Sequence, residues 1–406
     1  MLCKLSAAGD LEKVKNVFMC VNIENISVIE MGVKNNELSE GESSKLVDSN
    51  SSHHGYHVIG SYGMTPLMLA ASNGHIHVCE YLIVKQNAKL CARDDDQNTA
   101  LIHATRSNRS NVVQLLLYHN ANTMAQDRYG LTSAYFAAMH GYLDILKKLI
   151  EKNVSVLNFQ GKNGMTLLIV ASLKGRVNVI RLLLDNNANI MAKDESGMHA
   201  TYLAARKGNL DCLKLLVKKN EYVVNLKGWQ GQTPLIAASF HGKIDVVKFL
   251  LDKNVNIMAK DQSGMHAAYL AAKSGNLSLL KLLVEKNEDV ANLKGFQGQT
   301  PLIAASFHGK IDVCKYLLTH TKAEVNQQDD SGRTALFWAV DNYRKEKNKI
   351  EIVDLLIKNG AMNLKNEFDE TALDIARNRK HELIVKKLED KFHMWFTSKK
   401  AKEDFL

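Results

Sequence analysis

Proline is scarce in this chain: three residues among 406, which with only 24 glycines excludes a collagen-like or flexible low-complexity polymer. No apolar run reaches the roughly 18–20 residues that a bilayer-spanning helix needs, so no transmembrane segment is expected. The six cysteines (Cys3, Cys20, Cys79, Cys91, Cys212 and Cys314) are scattered without a CxxC pair, which argues against a disulfide framework and against a zinc site. The N-terminus, MLCKLSAAGDLEKVKNVF, lacks the uninterrupted apolar stretch of a secretory signal. The chain is therefore expected to be cytoplasmic, with the nucleus left open. Neither charge sign dominates: 52 basic and 43 acidic residues leave +9, a mild excess whose location matters more than its size. With 46% apolar and 23% charged residues, the composition suits an ordinary packed core.

Chemistry-bearing motifs are missing as well. There is no GxGxxG before a helix, no GxxxxGK[ST], no HExxH and no GxSxG, so neither catalysis nor a cofactor is expected. His75-Ile-His77-Val-Cys79 has metal-like content. On a helix, however, residues two apart point roughly 200° away from each other, and Cys79 takes an apolar position beside Val78 and Leu82. Cys212 and Cys314 likewise read as small core residues. His53, His54 and His57 lie in a polar stretch, and no built metal site is expected there. No Arg-rich stripe interleaved with aromatics appears, so nucleic acid is not an expected partner.

What the chain does have is repetition. Gly197–Gln230 and Gly264–Gln297 are identical at 25 of 34 positions, and the stretches that follow, from Gly231 and Gly298, agree at 18 of 20. A 67-residue unit has been duplicated, and it contains two copies of something shorter. Turn positions fall at Gly63, Gln97, Gly130, Gly164, Gly197, Gly231, Gly264, Gly298 and Gly332, spaced 33 or 34 apart. The ninth copy carries about four extra residues near Tyr343–Glu346.

Each copy follows one physical plan. After the turn comes Thr, often with Pro (Thr65-Pro66, Thr233-Pro234, Thr300-Pro301), a helix start in which Thr caps and Pro fits the first turn. A short helix follows, with small pairs such as Ala237/Ala238 and Ala304/Ala305 that permit close packing. It stops at Gly or Asn (Gly74, Asn108, Gly141, Gly175, Gly208, Gly242, Gly275, Gly309), as a left-handed helix end requires. A second helix places Ile244, Val247, Leu250 and Leu251 at helical spacing. It ends at Asn120, Asn153, Asn187, Asn220, Asn254 or Asn287, which are expected to adopt the left-handed conformation in place of Gly.

A helix–turn–helix–hairpin of about 33 residues with Thr-Pro-Leu near its start resembles the ankyrin repeat. The resemblance covers residues 63 to about 390, with a partial match over Leu2–Cys20, and it implies an all-α ankyrin-repeat solenoid. Some positions depart from the pattern. Met68, Ile236 and Ile303 follow Thr-Pro-Leu where His is common, the Gly that closes the second helix survives only as Gly360, and His199 and His266 replace Thr. These changes are expected to cost local stability.

The expected organisation is a degenerate N-terminal capping repeat at 1–21, a polar and mobile insertion at 22–62, nine repeats at 63–368, a C-terminal capping half-repeat at 369–391 and a basic, aromatic tail at 392–406. In the tail, Phe392, Trp395 and Phe396 fall on one side of a helix extended from Leu383, as an end cap or a docking helix would need.

An open solenoid surface suits binding better than catalysis. The resemblance implies protein partners docking on the concave side, at hairpin tips and along the first helices. By motif position, the aromatic tips are Tyr62, Tyr129, Trp229 and Phe296. The residues closing the first helix include Met139-His140, Phe240-His241 and Phe307-His308. Trp229 with Phe240, and Phe296 with Phe307, recur after 67 residues, while the copies between carry Arg206/Lys207 and Lys273/Ser274. Candidate partner-binding residues are thus Tyr129, Met139, Trp229, Phe240, His241, Phe296, Phe307 and His308. The alternative is that these rings pack on one another and stiffen neighbouring hairpins. The expected role is a monomeric protein-interaction scaffold or adaptor. The other readings are a regulatory subunit holding a separate enzyme near its target, and an adaptor anchored to a membrane surface by the tail.

Overall fold

The computed structural model describes residues 2–16, 61–341 and 346–403. Among these every named element is helical, α or 3-10, and the β structure consists of isolated bridges such as that between Gln126 and Thr132. This is an all-α ankyrin-repeat solenoid. The chain forms two compact units, 1–195 and 196–406.

In the first unit, the helices Leu2–Ala8, Pro66–Asn73, Ala100–Arg106, Ser133–His140 and Leu167–Lys174 stack in that order. Ile76–Val84, Ser110–Tyr118, Leu143–Lys152 and Val177–Asp185 form a second layer. Leu2–Ala8 ends at Gly9 (φ 75°) and packs directly on Pro66–Asn73. The expected insertion lies, apart from residues 61 and 62, outside the described residues.

The second unit repeats the plan. Its inner helices are Ala200–Lys207, Pro234–Phe240, Ala267–Ser274, Pro301–Phe307, Ala335–Asp341 and Ala372–Asn378. Glu346–Lys358, at 13 residues, is longer than the second helices Ile244–Leu251 and Ile311–His320 before it, at 8 and 10. The final helix runs Glu382–Glu403. The side chains of Trp395 and Phe396 lie outside the described residues, and so does the proposed grouping of tail aromatics.

The local reasons are those of the sequence pattern. Thr65, Thr99, Thr132, Thr166, Thr233, Thr300 and Thr371 are extended N-caps whose hydroxyls each accept the backbone N–H three residues on. Ala237, Ala238, Ala304 and Ala305 have no exposed surface, which lets successive inner helices approach closely. The loops between paired helices alternate: Gly74, Gly141, Gly208 and Gly275 sit at φ 82–86°, whereas Asn108, Gly175, Gly242 and Gly309 sit at φ 56–69°.

Two expectations need correction. Asn120 and Asn187 are left-handed (φ 63° and 60°), but Asn153, Asn220 and Asn287 are extended at φ −153° to −155°. Their side chains cap the 3-10 helices that follow, accepting from the N–H of Ser155, Tyr222 and Asp289. The second helix runs to ten residues in these copies and still ends at the Asn, which in extended conformation also begins the next element.

His199 and His266 do not weaken their helix starts. Each Nδ1 accepts the N–H of Tyr202 or Tyr269 at 3.2 and 3.3 Å, so His performs the Thr cap. Each Nε2 donates to a connector carbonyl, Leu226 or Leu293, at 3.0 Å, a bond that Thr is too short to make. Burial pushes the His266 imidazole down to about 4, and the accepting Nδ1 requires the neutral ring.

Candidate functional site

In the second unit six candidate positions fall into two rows at opposite ends of the inner helices. Helix Pro234–Phe240 has seven residues, about 10 Å long, and separates Trp229 at its hairpin from Phe240 at its far end. Phe296 and Phe307 are separated in the same way by Pro301–Phe307. Among the described residues the two rows make no ring contact with each other. Among the described residues the candidate rings that touch are chain neighbours, Phe240 with His241 and Phe307 with His308, and Phe307 also meets Trp338, which was not among the candidates.

The tip row rests on a tight turn. Gly231 N–H bonds to Gly228 O at 3.1 Å, with Gln230 at φ 50° and Gly231 at φ 74°. Gln297 and Gly298 repeat this at φ 52° and 71°. Positive φ at a Gln is strained. It is held because the Gln230 and Gln297 carbonyls accept N–H groups from the next hairpin, Gln262 and Asp330, at 3.0 and 3.1 Å. Trp229 and Phe296, first in these turns, remain 42% and 38% exposed.

Beneath each tip lies a buried tyrosine. A Cβ on Gly228 would come within 2.7 Å of the Tyr202 ring, and one on Gly295 within 2.9 Å of Tyr269. The Tyr202 hydroxyl donates to Gln232 Oε1 at 3.2 Å and that of Tyr269 to Gln299 Oε1 at 3.3 Å. Burial lifts the Tyr269 phenol to about 12, so it stays a donor.

Tyr129, in the first unit, is built differently. The Asp127 carboxylate forms its turn, accepting N–H groups of Tyr129 and Leu131 at 2.9 and 2.8 Å. The Arg128 guanidinium lies 4.7 Å from the Tyr129 ring and pairs with Asp96 at 2.7 Å.

The loop row of the second unit contains Phe240, His241, Phe307 and His308; in the first unit Met139 takes the like position in its own repeat. Met139 is half-buried, and its carbonyl accepts from Arg176 Nε at 3.0 Å. Phe240 is 55% exposed, although residues 234–239 of its helix are all buried. It lies edge-on to His241 at 5.0 Å, and Arg206 Nε donates to His241 Nε2 at 3.3 Å. Burial first, and then Arg206, Lys243 and Lys207, hold the His241 imidazole below its ordinary range.

Phe307 is more enclosed. It meets His308 edge-on at 4.8 Å and Trp338 at 4.6 Å. Trp338 is fixed by donation from Nε1 to Asp329 Oδ2 at 2.8 Å, with the Arg333 guanidinium 4.1 Å from its ring. Phe307 is thus shared between a surface row and the packing of the next repeat.

Sequence reasoning missed Trp338, Arg333 and a row of cations. The signal for the cations was register: Arg109, Arg176, Lys243 and Lys310 are 67 residues apart. Each lies across the loop glycine of the preceding copy, at Gly74, Gly141, Gly208 and Gly275.

The apparent metal motif is structural. His75 donates from Nε2 to Ala7 O at 2.7 Å, and burial raises the Cys79 thiol to about 12. Cys212 and Cys314 are buried, with thiols raised to about 11 and about 12 by the same cause. Among the described residues no group of three or more His, Cys, Asp or Glu is placed to hold a metal, and no helix is long and apolar enough to cross a membrane.

Stacked helix pairs, left-handed loops and interlocked tips define a repeat array whose outward-facing feature is a patterned surface. A family model of ankyrin repeats (three copies) matches residues 36–127, 120–194, 191–261 and 265–366, and the chain belongs to the ankyrin-repeat family. It is similar to the putative ankyrin repeat protein YahD of Escherichia coli, 29% identical over 46% of this chain and 92% of that one. It is also similar to the poly [ADP-ribose] polymerase tankyrase of Caenorhabditis elegans, 32% identical over 80% of this chain. A third relative is the human transient receptor potential cation channel subfamily A member 1, 24% identical over 76% of this chain. The matches span only 15% of the polymerase and 28% of the channel.

Proposed function

We propose that this protein is an adaptor of the cytosol or nucleus that binds other proteins on its exposed aromatic rows. Phe240 and Phe307 with their histidines form the principal contact, and Trp229 and Phe296 form a second. Tyr129 and Met139 mark corresponding positions in the first unit. The observation that carries the reading is the exposure of Phe240 at the end of an otherwise buried helix. A large ring left in water on a rigid support is the usual form of an interface anchor.

Three facts support this. Ankyrin repeats generally mediate protein–protein interaction. The relatives include a polymerase and a channel by name, and what the chain shares with each is a repeat segment rather than a common activity. Among the described residues no two cysteines form a disulfide, which suits a reducing compartment.

The test is affinity capture from the native cell, comparing wild type with Phe240→Ala/Phe307→Ala and, separately, Trp229→Ala/Phe296→Ala. Helicity is checked by circular dichroism. Loss of a specific protein from the first variant, with the fold intact, is the expected result. Retention of every captured protein by both variants contradicts the reading.

A further inference from the structure

The loop row of the second unit alternates in chemistry as well as in size. Around Gly208 gather Arg206, Lys207 and Lys243; around Gly275 gather Lys273 and Lys310. Phe240 falls between these two groups and Phe307 beyond the second. No Asp or Glu occurs in the loop stretches 206–210, 240–244, 273–277 and 307–311. Among the described residues none of the five cations has a carboxylate within 4.0 Å.

The cations are positioned by packing. Gly208 and Gly275 are left-handed and lack a Cβ, which leaves room for lysine methylenes from the next copy. A Cβ at Gly208 would meet Lys243 Cδ at 3.0 Å, and one at Gly275 would meet Lys310 Cδ at 2.8 Å. The stems lie against the loop, so the ammonium groups are presented at its edge. Arg206 is tied to His241 by a hydrogen bond. The lowered titration of His241, which reflects Arg206, Lys243 and Lys207 after burial, reports the same positive field.

The spacing selects an occupant. Neighbouring stacked helices lie roughly 8–10 Å apart, and an extended chain of polyproline-II form advances about 3.1 Å per residue and brings every third side chain to the same face. One copy therefore corresponds to about three residues of an extended ligand, and one cation–ring–cation period to about six. We propose that this strip docks an extended acidic segment of a partner protein, in which carboxylate and apolar side chains alternate about every third residue. The proposal rests on the aromatic-row reading above and names its ligand. A nucleic-acid strand suits the strip less well. Each duplex strand places a phosphate about every 3.4 Å, and cation groups two copies apart leave most of those charges unmatched.

The test uses the purified full-length chain and fluorescence anisotropy. The probe is a fluorescein-labelled peptide with two Glu pairs six residues apart, a leucine midway between them and another three residues beyond the second pair. Arg206→Glu/Lys243→Glu/Lys310→Glu is expected to weaken binding at least about tenfold, through lost charge complementarity. Phe240→Ala/Phe307→Ala is expected to weaken it at least about fivefold, as loss of anchors does. Lys218→Glu/Lys248→Glu/Lys286→Glu, on exposed second-helix positions, changes it less than about twofold, since exposed distant charges are screened. An isomeric peptide with its Glu residues consecutive binds at least about fivefold more weakly, because it cannot reach both cation groups.

Equal binding of the two peptides, or equal loss in the second-helix variant, reduces the effect to net charge and overturns the proposal. An oligothymidine that binds more tightly than the peptide and shares its dependence on Arg206, Lys243 and Lys310 overturns it in favour of nucleic acid. If Phe240→Ala/Phe307→Ala loses the native partner while neither peptide nor partner responds to charge reversal, the acidic-segment proposal falls and the aromatic-row reading stands. A native partner retained by both aromatic variants removes that reading and this proposal together.

Discussion

A side chain in this array is chosen by what the neighbouring copy places against it, and the buried His–Tyr pairs show this most directly. His266 caps its helix through Nδ1 and donates to Leu293 through Nε2, an arrangement open only to the neutral ring. In the unfolded chain His titrates near 6.5, and in the folded protein near 4. Above pH 6.5 both states are neutral and the contribution is complete. As pH falls toward 4 the unfolded state takes up the proton first, so stability declines by about 3 kcal/mol over that window. Urea unfolding at pH 7 and pH 5 should show the decline in wild type and a smaller one in His266→Thr, which keeps a cap without a titrating ring. Gly228 makes a second case. A side chain there would run into the Tyr202 ring. Gly228→Ala is expected to cost about 1–3 kcal/mol by overpacking against Tyr202. In a Tyr202→Ala background the further cost should fall without vanishing, because the Cβ at position 202 still lies close to Gly228, and a double-mutant cycle of urea midpoints measures the difference.

At the scale of elements, the 33-residue period conceals an alternation of two copies. Loop glycines near φ 85° alternate with loops near 60°, and between Leu143 and Lys286 ten-residue second helices followed by a 3-10 turn alternate with shorter ones. Asparagine therefore has two meanings. Asn187→Gly should leave stability unchanged or raise it slightly, because φ is 60° and Gly accepts that conformation freely. Asn220→Ala should cost about 1 kcal/mol, because it removes the cap on Tyr222 N–H. Urea midpoints of the two variants separate the roles. Helix order, the Thr caps and the left-handed ends of the first helices were legible because each depends on a few neighbouring residues. The dual role of Asn was not, since one residue type serves both a left-handed end and an extended cap. His199 and His266 were read as losses because their second bond reaches a connector 27 residues away. The candidate rings were found by register, but their division into two rows depends on the length of a folded helix. Trp338 escaped notice because its copy lacks the aromatic residues that drew attention elsewhere.

For the whole molecule, each of two units of like construction carries features set by the 67-residue period. That period places Lys243 and Lys310 over Gly208 and Gly275, and it places Phe240 and Phe307 at the ends of buried helices. The first unit carries Arg176 across Gly141 in the same manner, with Arg176, Lys174 and Arg106 lowering His140 after burial. Charge of one sign and rings in alternation make a specificity pattern rather than a uniform attraction. Ionic strength should therefore weaken partner binding without abolishing it, since screening reaches the cations and not the rings. Titrating salt in the capture experiment checks this.

The central claim is that Phe240 and Phe307 anchor a protein partner. The most direct measurement is capture from the native cell by wild type and by Phe240→Ala/Phe307→Ala, with circular dichroism and urea midpoints recorded for both. The account predicts that the variant keeps its helicity and loses a specific partner. A variant that folds as wild type does and retains every captured protein would contradict it.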